Sequence, residues 1–195
     1  MSQRLSLRGP LLWATAISLF LVALFYVVPT QLPFLLGEMG GDSSITGLVI
    51  GWMVMVQALA SLSYRWVSRL GFSNVALLSL TLMSAGMTIV GTSSAIAQVL
   101  VGLSISALGV GLVMPNLNSW ISDNTSSATR ARAIGALISA MFLGQFVSPV
   151  IAEPVIQGGD TAPAFLAAGV LSLVAAITVL ALSVAKIAQS DSTSP

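Results

Sequence analysis

Six stretches of the chain are apolar almost without interruption, and short polar segments separate them. The runs cover approximately Leu11–Leu36, Ile45–Val67, Asn74–Thr92, Ile96–Trp120, Ala133–Ile156 and Pro163–Ala185. Each is close to the roughly twenty residues a helix needs to cross the hydrocarbon core of a bilayer. Runs this continuous do not alternate as the strands of a membrane β-barrel do. A backbone in lipid must satisfy its own hydrogen bonds, so a helical bundle is the remaining way to span. The pattern predicts an all-α membrane protein: six transmembrane helices in one domain over residues 1–195, with a polar, disordered tail at 188–195. The connections are Gly37–Ser44, Ser68–Ser73, a short turn at Ser93–Ala95, Ile121–Arg132 and Gln157–Ala162.

The basic residues orient this bundle. All seven Lys and Arg fall on one side of the six-span pattern: Arg4, Arg8, Arg65, Arg69, Arg130, Arg132 and Lys186. The connections of the other side hold Glu38, Asp42 and Asp160 instead. Short loops rich in Lys and Arg stay cytoplasmic, so both termini are expected in the cytoplasm, with the chain multi-pass in the plasma (inner) membrane. Composition agrees: charged residues make up 7% of the chain, against about 25% in soluble domains. Separated basic pairs at span ends are not a nucleic-acid patch. The chain has no Cys and no His, which removes thiolate nucleophiles, imidazole ligation and any Ser–His dyad. No cofactor, no metal and no enzymatic activity are expected. The first run continues through Pro29 and Pro33 without a small-residue cleavage site, so it reads as a retained helix.

Finer patterns lie inside the runs. Pro29, Gly47 and Gln57 are matched by Pro115, Gly135 and Gln145 at an offset of 86 to 88 residues. Three spans per copy would give the copies opposite orientations, a 3+3 inverted repeat of the kind nested in transporter halves; spacing alone leaves coincidence open. Prolines at 29, 33, 115, 149 and 154 mark helices one, four and five as broken or mobile, and helices three and six as lipid-facing supports. Small residues four apart (Ala136, Ala140, Gly144, Ser148 and Ala152) share one face of helix five, as do Gly47 and Gly51 on helix two and Ala107 and Gly111 on helix four. They serve either static packing or a sliding surface.

Polar side chains cluster mostly on the proline-bearing helices. Tyr26, Thr30 and Gln31 lie in helix one, Gln57 in helix two, Asn116 and Asn118 in helix four, and Gln145 in helix five. An uncharged amide in a bilayer either bonds a neighbouring helix or lines a wet cavity, and both readings stay open. Tyr26 and Trp52 offer aromatic walls for an organic ligand. Glu153 is the one acid clearly inside a predicted span; it faces water at the outer mouth or binds a proton or cation. No acid lies at mid-depth.

The chain resembles the C-terminal six-helix half of a major facilitator superfamily transporter, in particular the drug and sugar efflux permeases. The resemblance covers Leu11 to Lys186 and rests on Gly109-Val-Gly111, Pro115, Arg130-Ala-Arg132-Ala133 and Gly144-Gln145-Phe-Val-Ser-Pro149. Tyr64-Arg-Trp-Val-Ser-Arg69-Leu-Gly71 stands where that superfamily has its basic loop motif, Gly-x-x-x-Asp-Arg-x-Gly. Arg69 and Gly71 agree with it; Tyr64 and Ser68 depart from it. Ser148-Pro149 followed by Ala152 is similar to a decayed Gly-Pro-x-x-Gly antiporter motif. The resemblance implies that helices one, two, four and five line a cavity and that three and six are peripheral. It also implies that substrate is held between two six-helix halves.

From these features the expected function is transport of a small organic solute by alternating access, as one half of a secondary transporter, with efflux as one direction. The alternative is a non-transporting scaffold or regulatory subunit that keeps the half-bundle fold. Substrate-facing candidates are Tyr26, Gln31, Gln57, Asn116, Asn118 and Gln145. Gating candidates at the cytoplasmic face are Arg69, Gly71, Asp123, Arg130 and Arg132, with Arg69 and Asp123 as a latch. Expected partners are membrane lipid, a small-molecule substrate, and either a missing N-terminal half or a second copy in a homodimer; no nucleic acid is expected.

Overall fold

A computed structural model describes the backbone of residues 8–156 and 160–192, and the side chains of residues 19–127, 129–156 and 160–185. Arg4 and the side chains of Arg8 and Lys186 lie outside the described residues. Six long helices follow in order: α1 (Arg8–Glu38), α2 (Ser43–Val67), α3 (Phe72–Gly91), α4 (Ile96–Asn124), α5 (Ser127–Ala152) and α6 (Ala162–Ser192). Short 3-10 turns at Ser68–Leu70 and Glu153–Val155 follow α2 and α5. All six helices are long and apolar enough to cross a membrane.

Local signals explain where the helices begin and end. Asp42 caps α2 by accepting a hydrogen bond from the Ile45 amide at 2.8 Å, an orphan donor of the first turn. Gly71 adopts φ 82° between the 3-10 turn and α3, a left-handed conformation that glycine reaches without steric cost. The polar segment Ile121–Arg132, expected as a loop, is mostly helix. Only Thr125 and Ser126 interrupt it, because the Ala-rich, Arg-containing stretch after Ser126 favours helix and places Arg130 and Arg132 in the first turns of α5. The tail expected from Ala188 onward is likewise helical as far as Ser192. Ala, Lys, Ile and Gln carry α6 onward, with no Gly or Pro to stop it; residues 193–195 lie outside the described residues.

The prolines within the helices do not break them, whereas Pro154 lies in the 3-10 turn that ends α5. α1 is continuous through Pro29 and Pro33, α4 through Pro115, and α5 through Pro149. A proline withholds one amide from the ladder, and at Pro29 the next hydroxyl adds a bond, since Thr30 Oγ1 donates to the Tyr26 carbonyl at 2.8 Å.

Packing is organised by close approaches of backbone. α3 lies between α4 and α6; α2 packs on α4, and α5 packs on α1. The α3–α4 seam is made of small residues: a Cβ at Gly86 would meet the Ser106 amide nitrogen at 2.4 Å, and one at Gly109 the Ser79 carbonyl oxygen at 2.4 Å. On the far side of α3, a Cβ at Gly169 of α6 would lie 2.8 Å from Thr88 Oγ1. Without a hydrophobic drive between helices in lipid, such contacts supply the association. They also qualify the expectation for helix three: Val75, Ser79, Met83, Met87 and Val90 are buried between α4 and α6, while Leu78, Thr81 and Ala85 keep an exposed stripe on its outer side. The apolar windows of α2 and α5 are the most exposed, at 17% and 22% buried, against 56% for α1 and α4.

Candidate functional site

A cavity of 120 Å³ opens where α1, α2, α3, α4 and α5 converge. Helical spacing brings its walls together. Leu21, Val22, Phe25 and Tyr26 share one face of α1, and Val110, Val113 and Met114 one face of α4, at the three- and four-residue intervals that align side chains. α2 contributes Gln57, α3 Met83, and α5 Met141 and Gln145. No charged residue lines it. Phe25 and Tyr26 pack edge to face, ring centroids 5.7 Å apart.

Of the six residues expected to face substrate, three meet here: Tyr26, Gln57 and Gln145. Gln31 is buried in α1 and lies away from this cavity. Asn118 is exposed on α4, also outside it. Asn116 is 4% exposed and is occupied structurally: its Nδ2 donates to the Phe72 carbonyl at 3.0 Å, and its Oδ1 accepts from Tyr64 Oη at 3.3 Å. One amide thus ties the ends of α2 and α4 to the start of α3. Trp52 belongs elsewhere too. Its indole donates to Ser104 Oγ at 2.9 Å, in an apolar groove between α2 and α4 that Tyr26 does not reach.

The residues that sequence reasoning missed are apolar. Met83, Met114 and Met141 reach the cavity from three helices, and Met is flexible and polarisable enough to follow ligands of different shape. Nothing in their local sequence distinguishes them from packing residues. The small-residue ladder of α5 resolves toward packing: Ala140, Ser148 and Ala152 are buried, and a Cβ at Gly144 would lie 2.7 Å from the Leu19 carbonyl oxygen of α1.

The gating candidates gather at the opposite ends of the helices from Asp42 and Glu153. Arg69, Gly71, Asp123, Arg130 and Arg132 are all exposed. Arg130 Nη2 donates to the Ser122 carbonyl at 2.9 Å, closing the α4–α5 turn. Arg65 lies over the ring of Trp66 at 4.2 Å. Among the described residues, no three His, Cys, Asp or Glu side chains come together as a metal site.

Comparison with known proteins adds to this geometry. The family profile described as Major Facilitator Superfamily matches residues 5–194. The chain is 23% identical over 157 residues to multidrug resistance protein 1 of Bacillus subtilis (strain 168), a match covering 80% of this chain and 40% of that protein. It is 24% identical over 139 residues to multidrug resistance protein 2 of the same organism, covering 69% of this chain and 34% of the relative. The matched region thus spans two fifths or less of the length of these curated relatives.

Proposed function

The chain belongs to the major facilitator superfamily, and on that premise we propose that it is one six-helix half of a secondary transporter that moves a small, uncharged or amphipathic organic solute by alternating access. Tyr26, Gln57 and Gln145 are its substrate-facing polar groups. The names of the Bacillus relatives support efflux as the direction.

One observation carries this reading. Eight of the eleven residues lining the central cavity form pairs at a single offset of 88: Val22 with Val110, Phe25 with Val113, Tyr26 with Met114, and Gln57 with Gln145. The helix crossings follow the same relation. Gly111 of α4 presses on the Gln57 carbonyl of α2, and Gly144 of α5 presses on Leu19 and Ala23 of α1; the offset carries Gly111 onto Ala23 and Gln57 to within one residue of Gly144. A 3+3 inverted repeat has this property, and in such transporters the solute site lies on the repeat interface near the membrane midplane. Methionines around two amides suit recognition that tolerates variation in shape.

The exposed faces of α2 and α5 support a partner. Gly47, Gly51, Val54, Ala58 and Ser61 form one exposed stripe of α2, and a Cβ at Gly47 or Gly51 would meet nothing within 4 Å. Gly135, the repeat mate of Gly47, is equally open, and Phe142 and Phe146 extend its face of α5. Helices of a second six-helix half, or of a second copy, would close on these stripes. The one-sided Lys and Arg support a cytoplasmic side for both termini, and on that side Arg69 and Asp123 are the candidates for a latch between α2 and α4.

The test is export of a neutral lipophilic fluorescent dye from liposomes that contain the purified chain, alone and with a co-expressed six-helix half. Flux that falls in Gln57→Leu and Gln145→Leu is expected. Flux from the chain alone identifies a second copy as the partner. Absence of flux in every combination, with the fold intact, would favour the scaffold reading instead.

A further inference from the structure

α1 separates two cavities. Leu21, Val22, Phe25 and Tyr26 face the central one, while Phe20, Ala23, Leu24 and Val27, on the opposite side of the same turns, face a second cavity of 110 Å³ between α1, α5 and α6. Its remaining walls are Ile151, Ala152 and Val155 after α5's Ser148, and Ala164, Ala167, Ala168 and Leu171 of α6. Every lining residue but one is apolar.

The exception is Ser148. It is 1% exposed, and its Oγ has no hydrogen-bond partner among the described residues. Two other buried helical serines donate to the carbonyl four residues back: Ser79 to Val75 at 2.8 Å and Ser172 to Ala168 at 2.8 Å. Ser148 makes no such bond. A buried hydroxyl left unpaired is costly, and no described residue supplies its partner. Ser106 is also buried and unpaired, but it is pressed against Gly86 in the α3–α4 seam and borders no cavity described above. A single polar group is too few for a stably bound water, which takes two to four partners.

We propose that the α1–α5–α6 cavity is a binding site for a small apolar molecule carrying one hydroxyl, a phenol or short alcohol, whose hydroxyl pairs with Ser148 Oγ once that side chain turns from its enclosed position toward the cavity. Size sets the class: an apolar protein cavity of about 150 Å³ accepts benzene, so 110 Å³ holds one ring at most. A hydroxyl both donates and accepts, as Ser148 does, so the pair satisfies both groups in a surrounding that offers neither another partner. Entry is from the bilayer, because Phe20, Ile151 and Leu171 are exposed at the rim. An occupant would sit one turn from the crossing of α5 on α1 at Gly144, where it would brace the two helices that also wall the central cavity.

The experiment uses the full chain in nanodiscs and fluorine NMR with two probes, 4-fluorophenol and fluorobenzene. Partition into lipid is common to all variants, so differences between variants report the protein. Saturable 4-fluorophenol binding to the wild type is expected, weakened roughly five- to tenfold in Ser148→Ala, the effect of one hydrogen bond, with fluorobenzene binding unchanged. Ala167→Leu, which fills the cavity, should remove both. Equal binding of 4-fluorophenol to wild type and Ser148→Ala, or no saturable binding to the wild type, overturns the proposal. Ser148→Ala removes only an unpaired hydroxyl, so the comparison stands even if Ala167→Leu does not fold.

Discussion

Gly111 lies so close to α2 that a Cβ built on it would sit 2.4 Å from the Gln57 carbonyl oxygen and 2.7 Å from Ala60 Cβ. The two helices meet here backbone to backbone, beside the cavity that Gln57 lines. Neither obstacle is the end of a flexible chain that could swing aside. Gly111→Ala should therefore push α2 from α4, at about 1–3 kcal/mol, the usual cost of overpacking. Gly47→Ala, where the added methyl meets open space, should be neutral or stabilising, since Ala exceeds Gly in helix propensity. Thermal unfolding of the two variants in one detergent compares them directly. A Gly111→Ala midpoint equal to that of Gly47→Ala would mean that the crossing has room to relax.

Asn116 and Gln57 should fail in different ways. Asn116→Leu leaves the Phe72 carbonyl and the Tyr64 hydroxyl without their partner, and a buried polar group that loses its bond costs about 1–3 kcal/mol. The variant should unfold at lower temperature. Tyr64→Phe removes only the longer of the two bonds and should cost less, near the 0.6 kcal/mol typical of hydrogen bonds between membrane helices. Gln57→Leu should keep the wild-type midpoint and lose ligand affinity. If Asn116→Leu kept its stability and lost only binding, the amide would be a substrate contact after all.

The difference between these two amides also marks how far the sequence could be read. Six helices were legible because a spanning backbone in lipid has no other arrangement, and apolar runs of that length have no other use. Gln57 and Gln145 were legible as a pair because an equal interval from Gly47 and from Gly135 repeats in the chain. Asn116 was not, because its partners lie 44 and 52 residues away and are set by how α4 crosses α2 and α3. The buried side of helix three was missed for a related reason. It carries no amide at mid-span, no proline and no charge, so nothing local pulled it inward. The available signal was weaker: Ser79 and Gly86 on α3 facing Gly102, Ser106 and Gly109 on α4, small residues that let backbones touch. Proline, in turn, overstated the breaks, since one withheld amide does not end a helix that its neighbours hold in place.

Orientation has a direct readout because the chain contains no Cys. A single Cys placed at Ala95, exposed before α4, or at Ser127, exposed at the start of α5, is the only thiol available to a membrane-impermeant maleimide. Label added outside intact cells should reach Ala95→Cys and spare Ser127→Cys; after permeabilisation both should react. This follows from Arg130 and Arg132 in the first turns of α5, since basic loop ends stay cytoplasmic. Labelling of Ser127→Cys from outside would reverse the orientation and with it the side assigned to Arg69 and Asp123.

The pairing of Gln57 with Gln145 gives the sharpest prediction for the central cavity. If the two amides occupy equivalent positions about an internal axis, each offers the same carbonyl and amine to a ligand lying across it. Gln57→Leu and Gln145→Leu should then weaken a neutral dye to similar extents, by roughly three- to tenfold, the effect of one hydrogen bond of about 0.5–1.5 kcal/mol. The double variant should lose little beyond the product if the amides act on separate ends of the ligand. A loss in the double variant no larger than in either single one would indicate that they grip one group together, because residues sharing a partner are not additive. Met141→Leu, which keeps the volume of the wall and removes its sulfur, should change the affinity least. An asymmetric result, with Gln57→Leu severe and Gln145→Leu silent, would place the ligand against α2 and α4 alone and remove the internal axis from recognition.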